Sequence, residues 1–447
     1  MDALTLARIQ FAVTVGFHFI FPPISIGLGW LLVVAEYFGW KKQDPVYVEV
    51  GKFFGKLFAI TFAIGVATGI VMEFQFGTNW SQYSRFVGDI FGAPLAAEGV
   101  FAFFLESTFL GVYLYGRDRV SKRVHWFSSL MVAVGATLSA FWIIVANSWQ
   151  QTPAGFVVRN GRAELTDFWA AVFNPSTLPR YFHVVVAALI AGAFVMAGVA
   201  AYHLLKDPRS AFARKAMKLG VAWGLVFSCL EVMPFGHLHA QQVARTQPAK
   251  FAAIEGLYTS QSSAPLVLFA VPFSEPPHLK AAVEIPGLLS WMAFGDTGAH
   301  VQGLDAFPPE NRPPLWLTFV SFHNMVLLGT WFVGLMAFAA WQWYRDRLWE
   351  DRRTLRLLLW SIPLPVLACE LGWVAAEVGR QPWIVQGLLR TSESHSPAVS
   401  AGEIAFSLGL FGLIYLGMGA LWLMLMIRKA KVAPAIAAPR LRAKAAA

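Results

Sequence analysis

The chain has 447 residues, of which 57% are hydrophobic and only 14% charged, with a mean hydropathy of +0.54. A soluble domain carries about 25% charged residues, so the composition excludes an ordinary soluble protein and points to an integral membrane one. The formal net charge of +9 would suit nucleic acid, but membrane chains gather Lys and Arg in cytoplasmic loops, and the basic residues here fall in sets between apolar runs; no nucleic-acid partner is expected.

In chain order, Met1 to Gln10 carries one Arg and one Asp, and no small-residue cleavage site follows the first apolar run. That run is therefore expected to be an uncleaved first helix and not a signal peptide. Runs of roughly 18 or more apolar residues are candidate membrane helices. Nine are expected, at about 13–36, 52–75, 93–115, 125–148, 180–204, 218–236, 315–344, 357–378 and 402–427. Cys229 and Cys369 both fall inside such runs, so no disulfide framework is implied. Basic residues crowd alternate loops: Lys41 and Lys42; Arg117, Arg119, Lys122 and Arg123; Lys206, Arg209, Arg214 and Lys215; then Arg345 to Arg356. With the basic tail, this alternation places the N-terminus outside and the C-terminus in the cytoplasm. The fold class expected is an all-α integral membrane protein, one membrane domain over 1–447. It has an extracytoplasmic loop at 237–314 and a basic, Ala-rich tail at 429–447. No internal repeat is visible, unlike the inverted repeats of many transporters.

This topology gives each polar intramembrane residue a depth. His18, Glu98, His183, Met325 and Glu377 all fall toward the outer side, and Glu377 is expected level with His18. Glu106 lies eight residues deeper than Glu98, roughly 12 Å along a helix. An ionisable side chain inside a span is costly and marks a partner, a ligand or a proton path. Each histidine alone reads most simply as a helix-packing residue, and Met325 as adaptable core filler. Gathered at one side with a carboxylate, they read equally as the donors of a cofactor such as haem, whose iron accepts His or Met axially. His323 and Met325 are two apart, point to different sides of their helix and should not ligate one iron. Glu98 and Glu106, on roughly one face, are either a hydrogen-bonded pair or a proton relay, since desolvation moves a carboxyl toward the range where it exchanges protons. Glu370 and Glu377 allow the same two readings. Lys250 and Glu255, in the outer loop, are either an exposed ion pair or a cation and carboxylate offered to a ligand's oxygens.

Several multi-residue stretches then resemble subunit I of the cytochrome bd-type quinol oxidases. They are Gln10-Phe11-Ala12 leading to His18-Phe19, Gly69 to Trp80, Glu98-Gly99 through Phe103 to Thr108, and Ala146-Asn147-Ser148-Trp149. Gln247-Pro248-Ala249-Lys250 with Ile254-Glu255-Gly256, Ser321-Phe322 before Met325, and Gly372 to Trp383 continue the series. The resemblance covers nearly the whole chain apart from about 257–314 and the tail. It implies that His183 and Met325 are axial ligands of a low-spin haem b that takes electrons from quinol. His18 and Glu377 would hold two high-spin haems, one b and one d, in an order left open. Glu98 and Glu106 would lie near the oxygen-reducing haems and on the proton route, Lys250 and Glu255 at the quinol site, and Arg380 and Trp373 beside the haem pair.

The resemblance further implies a terminal respiratory oxidase of a prokaryotic cytoplasmic membrane, embedded in lipid. It would oxidise quinol outside and reduce dioxygen to water, with proton uptake and release on opposite sides. A second membrane subunit is an implied partner, with or without a small single-helix one. Two departures stand out. Many relatives carry Arg where His323 stands, and the outer loop lacks the longer C-terminal extension of some relatives. The chain therefore resembles a short-loop member, a group that includes cyanide-insensitive oxidases poor in haem d, in which the third haem is a further b. A quinone-linked cytochrome b without oxygen chemistry and an ion-coupled transporter are the competing classes. The first is disfavoured by the lack of paired histidines at helical spacing (His183 and His203 are twenty apart), the second by the lack of a repeat.

Overall fold

The computed structural model describes residues 1–274 and 277–432. Its helices are α1 (Ala3–Phe19), α2 (Phe21–Lys41), α3 (Pro45–Thr78), α4 (Ser81–Ala97), α5 (Phe104–Tyr115), α6 (Lys122–Gln151), α7 (Phe168–Val172) and α8 (Thr177–Lys206). They continue as α9 (Ala211–Leu230), α10 (His237–Thr246), α11 (Pro248–Glu255), α12 (Leu288–Phe294), α13 (Leu315–Tyr344), α14 (Arg352–Trp360), α15 (Leu364–Val378) and α16 (Ala401–Ala430). Two-stranded antiparallel ribbons decorate the loops: β1 (Phe156–Arg159) with β2 (Arg162–Leu165), β3 (Gln261–Ser262) with β6 (His300–Val301), β4 (Leu266–Ser274) with β5 (Pro277–Ile285), and β7 (Trp383–Val385) with β8 (Leu389–Arg390).

Among the described residues nine helical segments are long and apolar enough to cross a membrane, and each run expected from the sequence falls within one of them. The segments overrun the apolar stretches because capped polar turns extend them. Asp2 accepts from Thr5 N at 2.7 Å, Asp44 precedes Pro45 and accepts from Val46 N, and Ser400 with Glu403 forms a reciprocal capping box before α16. Four segments are interrupted. Pro22 and Pro23 restart the chain at α2. A π-helical turn, Glu98–Phe103, joins α4 to α5, and another, Glu231–Gly236, joins α9 to α10 with Met233 out of helical geometry. Ser361–Pro363 separates α14 from α15. The loop expected to begin at 237 therefore begins ten residues later. Polar residues end the apolar pattern there, but the helix persists because its amides find partners: Gln241 donates to Met292 O at 2.9 Å and Gln242 to Ser176 Oγ at 2.9 Å. Of the expected tail at 429–447, α16 takes in the first two residues, and 433–447 lie outside the described residues.

α8 is the central helix, with 89% of its most apolar window buried against 6% for α16. Its Ala- and Gly-rich sequence allows this, because small residues let membrane helices touch by their backbones. Gly192 meets Gly27 of α2 so closely that a Cβ on Gly192 would lie 2.2 Å from Gly27 C. α16 runs parallel to α1, since Gln10, Thr14 and Phe17 meet Ser407, Tyr415 and Gly419 in that order. The chain thus starts at one end of the bundle and α16 finishes at the other. The basic loops meet at the finishing end: Lys215 pairs with Asp44, Lys122 donates to Gln43 at 2.8 Å, and Arg214 lies over the Trp349 ring.

Candidate functional site

At the starting end of the bundle, α15 closes on a buried polar cluster. Glu377 sits one residue before the helix end, and Arg380, in the following turn, folds back to pair with its Oε2. The last turn of α6 supplies amides to the other oxygen: Asn147 donates to Glu377 Oε1 at 3.0 Å and Gln151 at 3.4 Å. Gln150 accepts from Arg380 Nη1 at 2.8 Å and donates to the Tyr83 hydroxyl. Arg180, early in α8, donates to Asn147 O at 3.2 Å.

Gln151 also reaches α11. Its Oε1 accepts from Lys250 Nζ and, at 2.9 Å, from Gln247 Nε2; Lys250 donates as well to Gln247 Oε1 at 3.0 Å. Lys250 and Glu255 are only 6% and 4% exposed, which removes the exposed-pair reading, and they do not pair with each other. Burial, then the Arg180 and Arg380 guanidiniums, holds the Lys250 amine well below the usual lysine range, against the opposing pull of Glu377. Burial pushes the Glu255 carboxyl up to about 8, and its Oε2 has no partner. Two guanidiniums and the Lys250 amine thus surround one carboxylate in a space shielded from water, a set of donors that favours an oxygen-rich guest.

His18 ends α1 with Nδ1 2.9 Å from Thr68 Oγ1. The Thr68 hydroxyl donates to Ile64 O and Gly65 O, so it accepts from Nδ1–H and Nε2 is the bare nitrogen, the form a metal takes. α3 backs the ring with Gly69, where a Cβ would come within 3.2 Å of Cε1. Here the expectation of one depth for His18 and Glu377 fails. A Cβ on Gly16 would lie 3.6 Å from Glu370 Oε2, and Glu370 lies seven residues before Glu377, roughly 10 Å along α15. Loop lengths fix which side a residue is on but not how far each helix is shifted along its neighbour.

His183 adjoins the π-helical turn of the sixth segment. Glu231 Oε1 lies 3.0 Å from His183 Nδ1, and Gly236 adjoins the ring. α13 packs on the same turn, and Met325 Sδ rests against Gly372, where a Cβ would be 2.8 Å away. His323 is a strut, with its nitrogens 3.1 Å from Phe319 O and 3.0 Å from Val267 O, which agrees with its pointing away from Met325. Glu98 opens the π-helical turn of the third segment and accepts from Ser139 Oγ at 2.6 Å. Glu106 packs against Gly135, also on α6, so both acids face one helix. Trp373 is half-buried and makes no hydrogen bond or ring contact among the described residues.

Sequence reasoning missed Gln150, Gln151, Arg180, Glu231 and His239. Glu231 was accessible by the rule that flagged Glu377, an acid near the end of an apolar run. The amides carried no comparable signal, because a neutral side chain in a helix is inexpensive until its partners are known.

Among the described residues, nine segments long and apolar enough to cross a membrane, with His, Met and Glu side chains standing singly within them, define a polytopic helical membrane protein. A family model described as cytochrome bd terminal oxidase subunit I matches residues 6–434, and the chain belongs to that family. It is 42% identical over 441 residues to cytochrome bd ubiquinol oxidase subunit 1 of Bacillus subtilis (strain 168), covering 96% of this chain and 94% of the relative. It is 35% identical over 475 residues to cytochrome bd-II ubiquinol oxidase subunit 1 of Escherichia coli (strain K12), covering 91% and 92%. The solved structure of bd oxidase from Geobacillus thermodenitrificans superposes with a TM-score of 0.90 at 34% identity, over 97% of this chain and 99% of that one.

Proposed function

We propose that this chain is the quinol-oxidising, haem-carrying subunit of a terminal oxidase in a bacterial cytoplasmic membrane. The observation that carries the reading is Gln151, which hydrogen-bonds both Lys250 of the outer loop and Glu377 of the bundle. One amide joins the place where a quinol would bind to the place where an iron would be held.

Haem fits the residues present. Its iron needs only one or two protein donors, and His18, His183, Met325 and Glu377 stand singly. Glycines back the His18 ring and the Met325 sulfur, and the buried Arg380 Nε has no partner. His183 and Met325 would hold the low-spin haem b, and His18 and Glu377, at different depths, two separate high-spin haems, one b and the other d or a further b. When bound, haem supplies one-electron transfer and, at an open axial position, oxygen reduction. The chain's own residues do the rest. Lys250 and Glu255 present a donor and an acceptor to the two quinol oxygens. Arg180, Lys250 and Arg380 offset negative charge around Glu377. Glu98 and Glu106, ranged along α6, pass substrate protons inward from the side where the basic loops lie.

The basic loops all meet at the finishing end of the bundle, which supports assigning that end to the cytoplasm. Quinol protons then leave outside while substrate protons enter from inside, so charge is separated without a pump. A second membrane subunit completes the enzyme. Quinol-dependent oxygen consumption by the purified complex tests the reading. A reducible haem spectrum without oxygen consumption would leave a quinone-linked cytochrome b, and no haem spectrum would leave a transporter. A pyridine haemochrome spectrum with haem extraction counts b against d.

A further inference from the structure

Glu231 is a buried acid that the activity above does not use. It stands where α9 widens into the π-helical turn, a turn in which Met233 leaves helical geometry (φ −143°, ψ 118°) and Pro234 offers no N–H. No Lys or Arg among the described residues pairs with it, and Oε2 has no partner. A buried carboxyl without a partner is costly, yet its other oxygen lies 3.0 Å from His183 Nδ1. That nitrogen has no aligned hydrogen bond of its own. His239 of α10 packs against the same imidazole, ring centroids 5.0 Å apart at 60°. The ring thus has an acid beside one nitrogen and an aromatic wall against it, with the other nitrogen left for a guest.

We propose that Glu231 is the positioning residue for His183, taking the Nδ1 hydrogen so that Nε2 is bare and the ring plane is fixed toward the low-spin haem. The inference rests on the assignment of His183 as an axial ligand. Histidines that ligate metals commonly donate their second ring N–H to a carboxylate, which sets tautomer and orientation and makes the imidazole a stronger donor. A stronger donor favours oxidised iron, so Glu231 would hold the low-spin haem at a lower potential than His183 alone.

The test uses the complete purified oxidase and two readouts other than turnover: the low-spin signal in electron paramagnetic resonance, whose g values report the ring plane, and redox titration of the reduced low-spin band. In Glu231→Leu the low-spin signal should persist with shifted or broadened g values and a midpoint moved to higher potential. Glu231→Gln keeps an oxygen that can accept the same hydrogen more weakly, so its midpoint should lie between the two. Wild-type g values and midpoint in Glu231→Leu would make Glu231 a packing acid and overturn the proposal. Should Glu231→Leu fail to assemble, a wild-type midpoint in Glu231→Gln overturns it equally. His183→Ala separates the two ideas: loss of the low-spin signal upholds the ligand assignment, and its survival removes that assignment and the proposal with it.

Discussion

Lys250 and Glu255 lie five residues apart around α11, and burial acts on both by disfavouring the charged form. The Glu255 carboxyl is pushed up to about 8, so below that pH it is mostly protonated and cannot accept a quinol proton, and above it the carboxylate can. Quinol oxidation should therefore rise with pH until about 8 and then level off, and Glu255→Gln should flatten that limb; a rising limb unchanged in the variant would remove Glu255 as acceptor. Met325→Leu keeps volume but loses the sulfur, and should convert the low-spin centre to high-spin. An unchanged reduced spectrum would exclude Met325 as a ligand. Glu106→Gln should cut oxygen consumption by about a hundredfold or more, the usual range for loss of a proton-transfer group, while the haem spectrum stays intact. At this scale the sequence showed which acids were costly, Glu98, Glu106 and Glu377 among them, because a carboxylate in an apolar run is conspicuous. It did not show that Gln151 links Glu377 to Lys250, since an amide's partners are set only when α6, α11 and α15 meet.

Among the elements, α8 depends on having no side chain where it crosses α2. A Cβ on Gly192 would lie 2.2 Å from Gly27 C and 2.5 Å from Leu28 N, backbone atoms that cannot rotate aside. Gly192→Val should lower the thermal midpoint of the detergent-solubilised protein, at a cost of about 1–3 kcal/mol or more as for other overpacked cores. The same change at Gly409, where a Cβ meets nothing within 4 Å, should leave the midpoint unmoved. The helices themselves were legible from their apolar runs. Their interruptions were not: the π-helical turns at Glu98 and Glu231 have no pattern in a sequence read at helical period, although both present an acid to a neighbouring helix.

For the molecule as a whole, sidedness decides whether the chemistry generates a proton gradient. Cysteine introduced at Glu284, on the β4–β5 ribbon, should react with an impermeant maleimide in intact cells, whereas cysteine at Asp346 should react only after the membrane is opened. The reverse pattern would invert the proposed route for protons. Composition and hydropathy alone determined that this is a helical membrane protein with, among the described residues, nine segments long and apolar enough to cross, because a span must satisfy its backbone internally over a fixed apolar length. The run of motifs was enough to mark the family. Tertiary structure alone decided that Lys250 and Glu255 are buried, that His18 lies about two turns along the bundle from Glu377, and that Glu231 meets His183. Those facts depend on how far each helix slides and turns against its neighbours, and packing between side chains distant in sequence sets that shift.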